Sequence, residues 1–187
     1  MELYYRIATL SRNWAFFNRR SLDPEFVVKW AERLGISVLE DRSIASGASE
    51  MIGAHRLIYY NPHLPHAEKT LVLGHELGHH LLDHLSPVRS RLSIGGIATG
   101  RKRMEWDATV VGALCLAPTH LLLKCLAGER LRTEELYAEF LPLWSECDEG
   151  RGWRICERRL RIFTDLLAIC GAQCLRGRPC GGCGRNS

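Results

Sequence analysis

The stretch LVLGHELGHHLLDHL, residues 71–85, constrains this chain more than any other, because it reads as a helix carrying four of the chain's eight histidines. His75 and His79 are four residues apart, so on a helix they project from one face, one turn apart. Glu76 stands between them, beside that face but not in line with it. In this His-Glu-x-x-His arrangement two imidazoles hold a zinc ion and the carboxylate takes a proton from the attacking water. His80 and His84 repeat the spacing without a Glu between them. Five positions turn a helix by about 140° beyond a full revolution, so this second pair is expected at the surface or behind the ligands. Gly74 and Gly78 each cost a helix about 1 kcal/mol relative to Ala. The expected gain is room for another backbone, or a substrate, to approach the metal edge.

Two imidazoles do not complete a zinc site, which needs a third protein ligand and one open position. The extended pattern that adds a histidine six residues after the second one fails here, because Leu82 and Leu85 stand where its Gly and His belong. The alternative is a carboxylate from a second helix, and RKRMEWDATVVGALCLAP, residues 101–118, offers Glu105 and Asp107. They are two apart and cannot both face the metal. Glu105 has the longer arm and shares a face with Thr109 and Gly112, which suits packing on a glycine-lined helix; spacing alone leaves Asp107 open.

These two segments together, HELGHHLL and EWDATVVGALCLAP, resemble the ImmA/IrrE metallopeptidases, whose second segment runs roughly E-x-E-A-N-x-F-A-A-x-L-L-M-P. The likeness extends upstream to a helix ending in Leu-Gly-Ile and to the strand LIYYN, downstream to ICERRLRIF, and covers about Asp23 to Leu167. In that family the Glu thirteen residues before the Pro is the third zinc ligand, which here is Glu105. Asp107 replaces the second Glu, Thr109 the Asn, and Val111-Gly112 the Phe-Ala; neither ligand nor base is lost. The resemblance implies an α+β, zincin-like fold: a small sheet, a zinc helix, a second ligand-bearing helix and a mostly helical C-terminal half. It implies a cytoplasmic zinc endopeptidase with His75, His79 and Glu105 as metal ligands and Glu76 as catalytic base. Its expected partner is a protein substrate, a helix-turn-helix repressor whose cleavage derepresses mobile-element or stress-response genes. The alternative is a zinc-stabilised module that sequesters a repressor or nucleic acid without cutting; the intact Glu76 argues against it, since a scaffold needs ligands but no base.

Elsewhere, DPEFVVKWAERLGI predicts a helix capped by Asp23, opened by Pro24 and closed by Gly35. SVLE predicts a strand, and MIGAHRLIYYNP a strand or hairpin. The zinc helix is expected over about 65–84 and the second helix over about 102–117, with a mobile glycine-containing loop ahead of it. Shorter helices are expected over about 119–126, 134–140 and 153–169. Residues 1–22 show no clean period and are expected to be an N-terminal extension, 23–169 the peptidase domain and 170–187 a Cys/Gly/Arg-rich tail. The strand near Leu57–Tyr60 is a candidate for substrate strand addition, and Tyr59, Tyr60 and His120 are candidates to stabilise an oxyanion.

No N-terminal apolar run suggests a secretory signal, and the longest apolar run, Val110 to Pro118, falls short of the ~20 residues a bilayer requires. Residues 151–187 hold eight Arg against Glu157 and Asp165, whereas the rest of the chain is slightly acidic. A solvated basic helix face accounts for this, and an acidic partner or direct nucleic-acid binding is the less favoured reading. Every Cys lies at or after Cys115. Cys170, Cys174, Cys180 and Cys183 have spacing that a second, structural zinc could use; Cys115, Cys125, Cys147 and Cys156 fit small core positions.

Overall fold

The computed structural model describes residues 2–85, 97–119 and 154–165, with the single residues 122 and 138. The chain is α+β, and its packing divides it into two compact units, Leu22–Leu116 and Met1–Ser21 with Ala117–Ser187.

The first unit runs α2 (Pro24–Arg33), β1 (Ile36–Glu40), β2 (Gly47–Ile52), β3 (His55–Tyr60), α3 (His66–Leu81) and α4 (Ile97–Leu116). Helix α2 starts as its sequence predicts. Asp23 accepts the Phe26 amide hydrogen at 2.6 Å, Pro24 occupies the first turn, and Val27, Trp30 and Ala31 are buried. The sheet has the order β1-β3-β2, with β1 parallel and β2 antiparallel to β3. Its hairpin turns at Gly53, whose φ of 61° suits a two-residue connection. Strand β2 begins four residues before the predicted MIGAH segment. Because β3 lies between two partners, Leu57–Tyr60 cannot accept a substrate strand, which corrects the expectation drawn from its apolar sequence. The edges among the described strands are β1 and β2.

Helix α3 stops at Leu81 rather than His84, because Asp83 takes a left-handed φ of 56°. Helix α4 starts at Ile97, inside the segment expected to be a loop; its backbone passes through Gly100 without a break. The two helices cross where α3 is glycine-lined. A Cβ on Gly112 would lie 2.6 Å from the Leu71 carbonyl oxygen and 2.9 Å from the His75 nitrogen. One on Gly74 would lie 2.9 Å from the Gly112 Cα, and one on Gly78 would lie 3.1 Å from the Ala108 Cα. The glycines thus let two backbones touch, which repays their helix-propensity cost.

In the second unit, residues 2–13 form helix α1 (Glu2–Asn13), where no element was predicted; Leu3 and Ile7 are its buried positions. Asn18, at φ 58°, accepts the Thr119 amide hydrogen through Oδ1 at 2.7 Å. Residues 154–165 are helical, within the predicted 153–169 span. Arg154, Arg158 and Arg161 are exposed there, as a solvated basic face requires, but Arg159 is buried. Its guanidinium donates to the Ala117 carbonyl and to the Thr119 hydroxyl, and burial lowers its pKa to about 9. Among the described residues no helix is long and apolar enough to cross a membrane.

Candidate metal centre

Helix α3 delivers His75 and His79 to one face, and the glycine crossing brings Glu105 of α4 over them. The two Nε2 atoms are 3.1 Å apart, and Glu105 Oε2 lies 3.3 Å from that of His75 and 3.6 Å from that of His79. Among the described residues this is the group of donor atoms that could hold a metal, all within 4.8 Å of one another. Asp107, two residues from Glu105, is not in it. Three ligands at zinc bond lengths of about 2.0–2.1 Å in tetrahedral array stand about 3.3 Å apart, so the spacing fits. The Glu105 side chain is half exposed, which leaves an open side to the group.

The backs of both imidazoles are held. Thr109 Oγ1 donates to the Glu105 carbonyl at 2.7 Å and faces His75 Nδ1 at 3.2 Å. With its own hydrogen committed, the hydroxyl accepts from His75 Nδ1–H, leaving the Nε2 lone pair inward. His79 Nδ1 faces His84 Nδ1 at 3.1 Å. Burial holds the His79 pKa below the usual histidine value, with His75 adding to the effect and Glu105 opposing it.

Glu76 points to the sheet side of α3 and is buried. Burial pushes its pKa up to about 7, opposed by a hydrogen bond from Ser49 and reinforced by the Glu105 charge. Gly47 of β2 backs it closely: a Cβ there would lie 2.6 Å from Val72 Cγ1 and 3.0 Å from Glu76 Cγ. A carboxyl with a pKa near neutrality can both take and return a proton.

The other predicted residues lie elsewhere. His80 and His84 are buried rather than at the surface, because α3 is packed on more than its His75–His79 face, and His84 takes the other place expected for the pair, behind His79. His80 Nε2 meets the Leu57 carbonyl at 3.0 Å while its Nδ1 accepts from Arg56 Nε at 3.4 Å, which ties α3 to β3. The Tyr59 and Tyr60 hydroxyls donate to Glu50 and Glu40, so both candidate oxyanion donors are already engaged. His120, Cys125, Cys147 and the four tail cysteines, Cys170, Cys174, Cys180 and Cys183, lie outside the described residues. Cys115 and Cys156 are buried free thiols. Sequence reasoning missed the supporting roles of Ser49 and Gly47. Thr109 did leave a signal, its position one turn after Glu105.

A family model described as the IrrE N-terminal-like domain, Peptidase M78, matches residues 31–141. No curated protein and no solved structure matches the chain.

Proposed function

The chain belongs to the Peptidase M78 family, a metallopeptidase-type family, and on that premise we propose that it is a zinc-dependent endopeptidase of the cytoplasm that cleaves a helix-turn-helix repressor. The observation that carries the hydrolytic reading is the buried carboxyl of Glu76, retained beside the His75–His79–Glu105 group and held by β2. His75, His79 and Glu105 would hold the zinc. Bound there, zinc supplies Lewis-acid polarisation of the scissile carbonyl and lowers the pKa of water towards about 7. Glu76 takes the proton of the attacking water and passes it to the leaving amine. Ser49 orients Glu76 through its hydroxyl, and Gly47 leaves the carboxyl the space it occupies. Substrate would add as a strand along the edge of β2, the strand that carries both. The repressor as substrate rests on the likeness of the two ligand-bearing segments to ImmA/IrrE metallopeptidases.

The test is incubation of the chain with zinc and a co-encoded helix-turn-helix repressor. Wild type should release a discrete fragment. Glu76→Gln keeps size and hydrogen bonding but cannot take the proton, so it should bind zinc normally and cut about 10²- to 10⁴-fold more slowly. In cells with a repressor-controlled reporter, wild type should induce and Glu76→Gln stay silent. Equal induction by both would replace the peptidase with a module that strips the repressor by binding.

A further inference from the structure

We propose that His84 is a positioning residue for His79, fixing the tautomer and ring orientation in which His79 presents Nε2 to the metal. The proposal rests on the metal-centre reading above. His79 Nε2 is the atom turned towards His75 and Glu105, so its lone pair must stay free for a metal. A neutral imidazole then carries its proton on Nδ1, and burial of His79 denies that proton bulk water. The atom that meets it is His84 Nδ1, 3.1 Å away, which accepts when His84 keeps its own proton on Nε2. The rings meet at 72° with centroids 5.1 Å apart, an edge approach rather than a stack.

An uninterrupted helix would not make this contact, since residue 84 would sit about 140° around the axis from residue 79. The chain instead leaves the helix after Leu81, and Asp83 adopts φ 56°. The His84 amide then donates back to the His79 carbonyl at 2.9 Å, and the Leu82 amide to that of Gly78 at 2.9 Å. This left-handed helix ending carries an aspartate where glycine would be unstrained. It folds the buried His84 ring behind the ligand. Thr109 does the same for His75, so each histidine ligand has its own partner on the far ring nitrogen.

The test is zinc affinity of the full chain, read by competition with a chromophoric chelator. His84→Ala should bind zinc about 10- to 100-fold more weakly, the usual loss for an outer partner of a ligand histidine. His84→Asn, whose amide oxygen can accept the Nδ1 hydrogen, should recover most of that loss. Asp83→Val, which a left-handed φ excludes, should weaken binding as well, and Asp83→Val with His84→Ala should be no worse than the worse single variant. Wild-type affinity in His84→Ala, or no recovery in His84→Asn, would overturn the proposal alone. A wild-type chain that takes up no zinc would overturn the metal centre and the proposal with it.

Discussion

Helix α3 meets α4 and the sheet by different means. Towards α4 it presents glycines, and backbone touches backbone at Gly74, Gly78 and Gly112. Towards the sheet it presents polar side chains: Glu76 to Ser49, and His80 to the Leu57 carbonyl and Arg56. The first contact sets the distance between Glu105 and the two imidazoles. The second sets where the Glu76 carboxyl stands. A backbone seam has no rotamers to adjust, whereas a side-chain contact can shift by a bond rotation. Damage to the α4 side should therefore cost metal, and damage to the β2 side should cost rate while the metal stays.

The largest effect expected is at Glu105. Glu105→Gln removes a candidate ligand and should weaken zinc binding by more than the ~100-fold that losing an outer partner can cause. Asp107→Asn should leave affinity near that of wild type, since Asp107 is outside the donor group. Equal losses, measured by chelator competition, would mean that the two carboxylates are not distinguished as the α3–α4 crossing implies. Next is Gly112→Ala. Its Cβ would stand 2.6 Å from the Leu71 carbonyl oxygen, and neither backbone can yield without parting the helices. We expect about 1–3 kcal/mol of destabilisation in denaturant unfolding, the range for overpacking a core, with a loss of zinc affinity alongside. Unchanged stability and affinity would show the seam to be looser than a single methyl.

What the sequence revealed follows the same division between local and distant causes. Helix α2 and the face of α3 that carries His75 and His79 were legible because a cap, a proline and an i, i+4 pair are local signals. The second helix could be placed because Gly112 and Glu105 share a face, although the choice between Glu105 and Asp107 needed either the family likeness or the geometry. Strand β2 was largely hidden: Gly47, Ala48 and Ser49 have little strand preference, and their extended form comes from pairing with Tyr60, Tyr59 and Ile58. The left-handed Asp83 was hidden too, since nothing local marks an aspartate for that conformation over a further helical turn. Helix α1 escaped notice because Tyr4, Tyr5 and Trp14 blur the spacing of Leu3 and Ile7. The burial of Arg159 depends on Ala117 and Thr119, about forty residues away in sequence.

A smaller effect is expected on the sheet side. Gly47→Ala places a methyl 2.6 Å from Val72 Cγ1 and 3.0 Å from Glu76 Cγ, and both are side chains that can move. The fold should survive with the base displaced. Misplacing a catalytic group by about 1 Å can cost ~10²-fold, and a partial shift should cost about tenfold in peptidase rate. Zinc affinity should not change. A loss of zinc at this position would erase the division between the two sides of α3.

The last prediction is a null result that reports on the seam itself. Cys115 is fully buried on α4, and its Sγ lies 3.2 Å from where a Gly74 Cβ would be. Burial pushes its thiol pKa up to about 12, so at pH 8 the reactive thiolate is scarce and shielded together. Iodoacetamide added to the native chain should leave the Cys115 peptide unmodified in mass spectrometry and should modify it once denaturant is present. In Gly112→Ala, where the helices must part, labelling at Cys115 should rise under native conditions while the fold is still measurable by circular dichroism. Rapid native labelling in wild type would mean that α3 and α4 do not close on each other, and the spacing of Glu105 from the histidines would then need another support. Protection in both chains would mean that the added methyl is absorbed elsewhere, by a sliding of α4 along α3. In that case the zinc affinity of Gly112→Ala tells how far Glu105 moved, because sliding shifts the carboxylate without exposing the thiol.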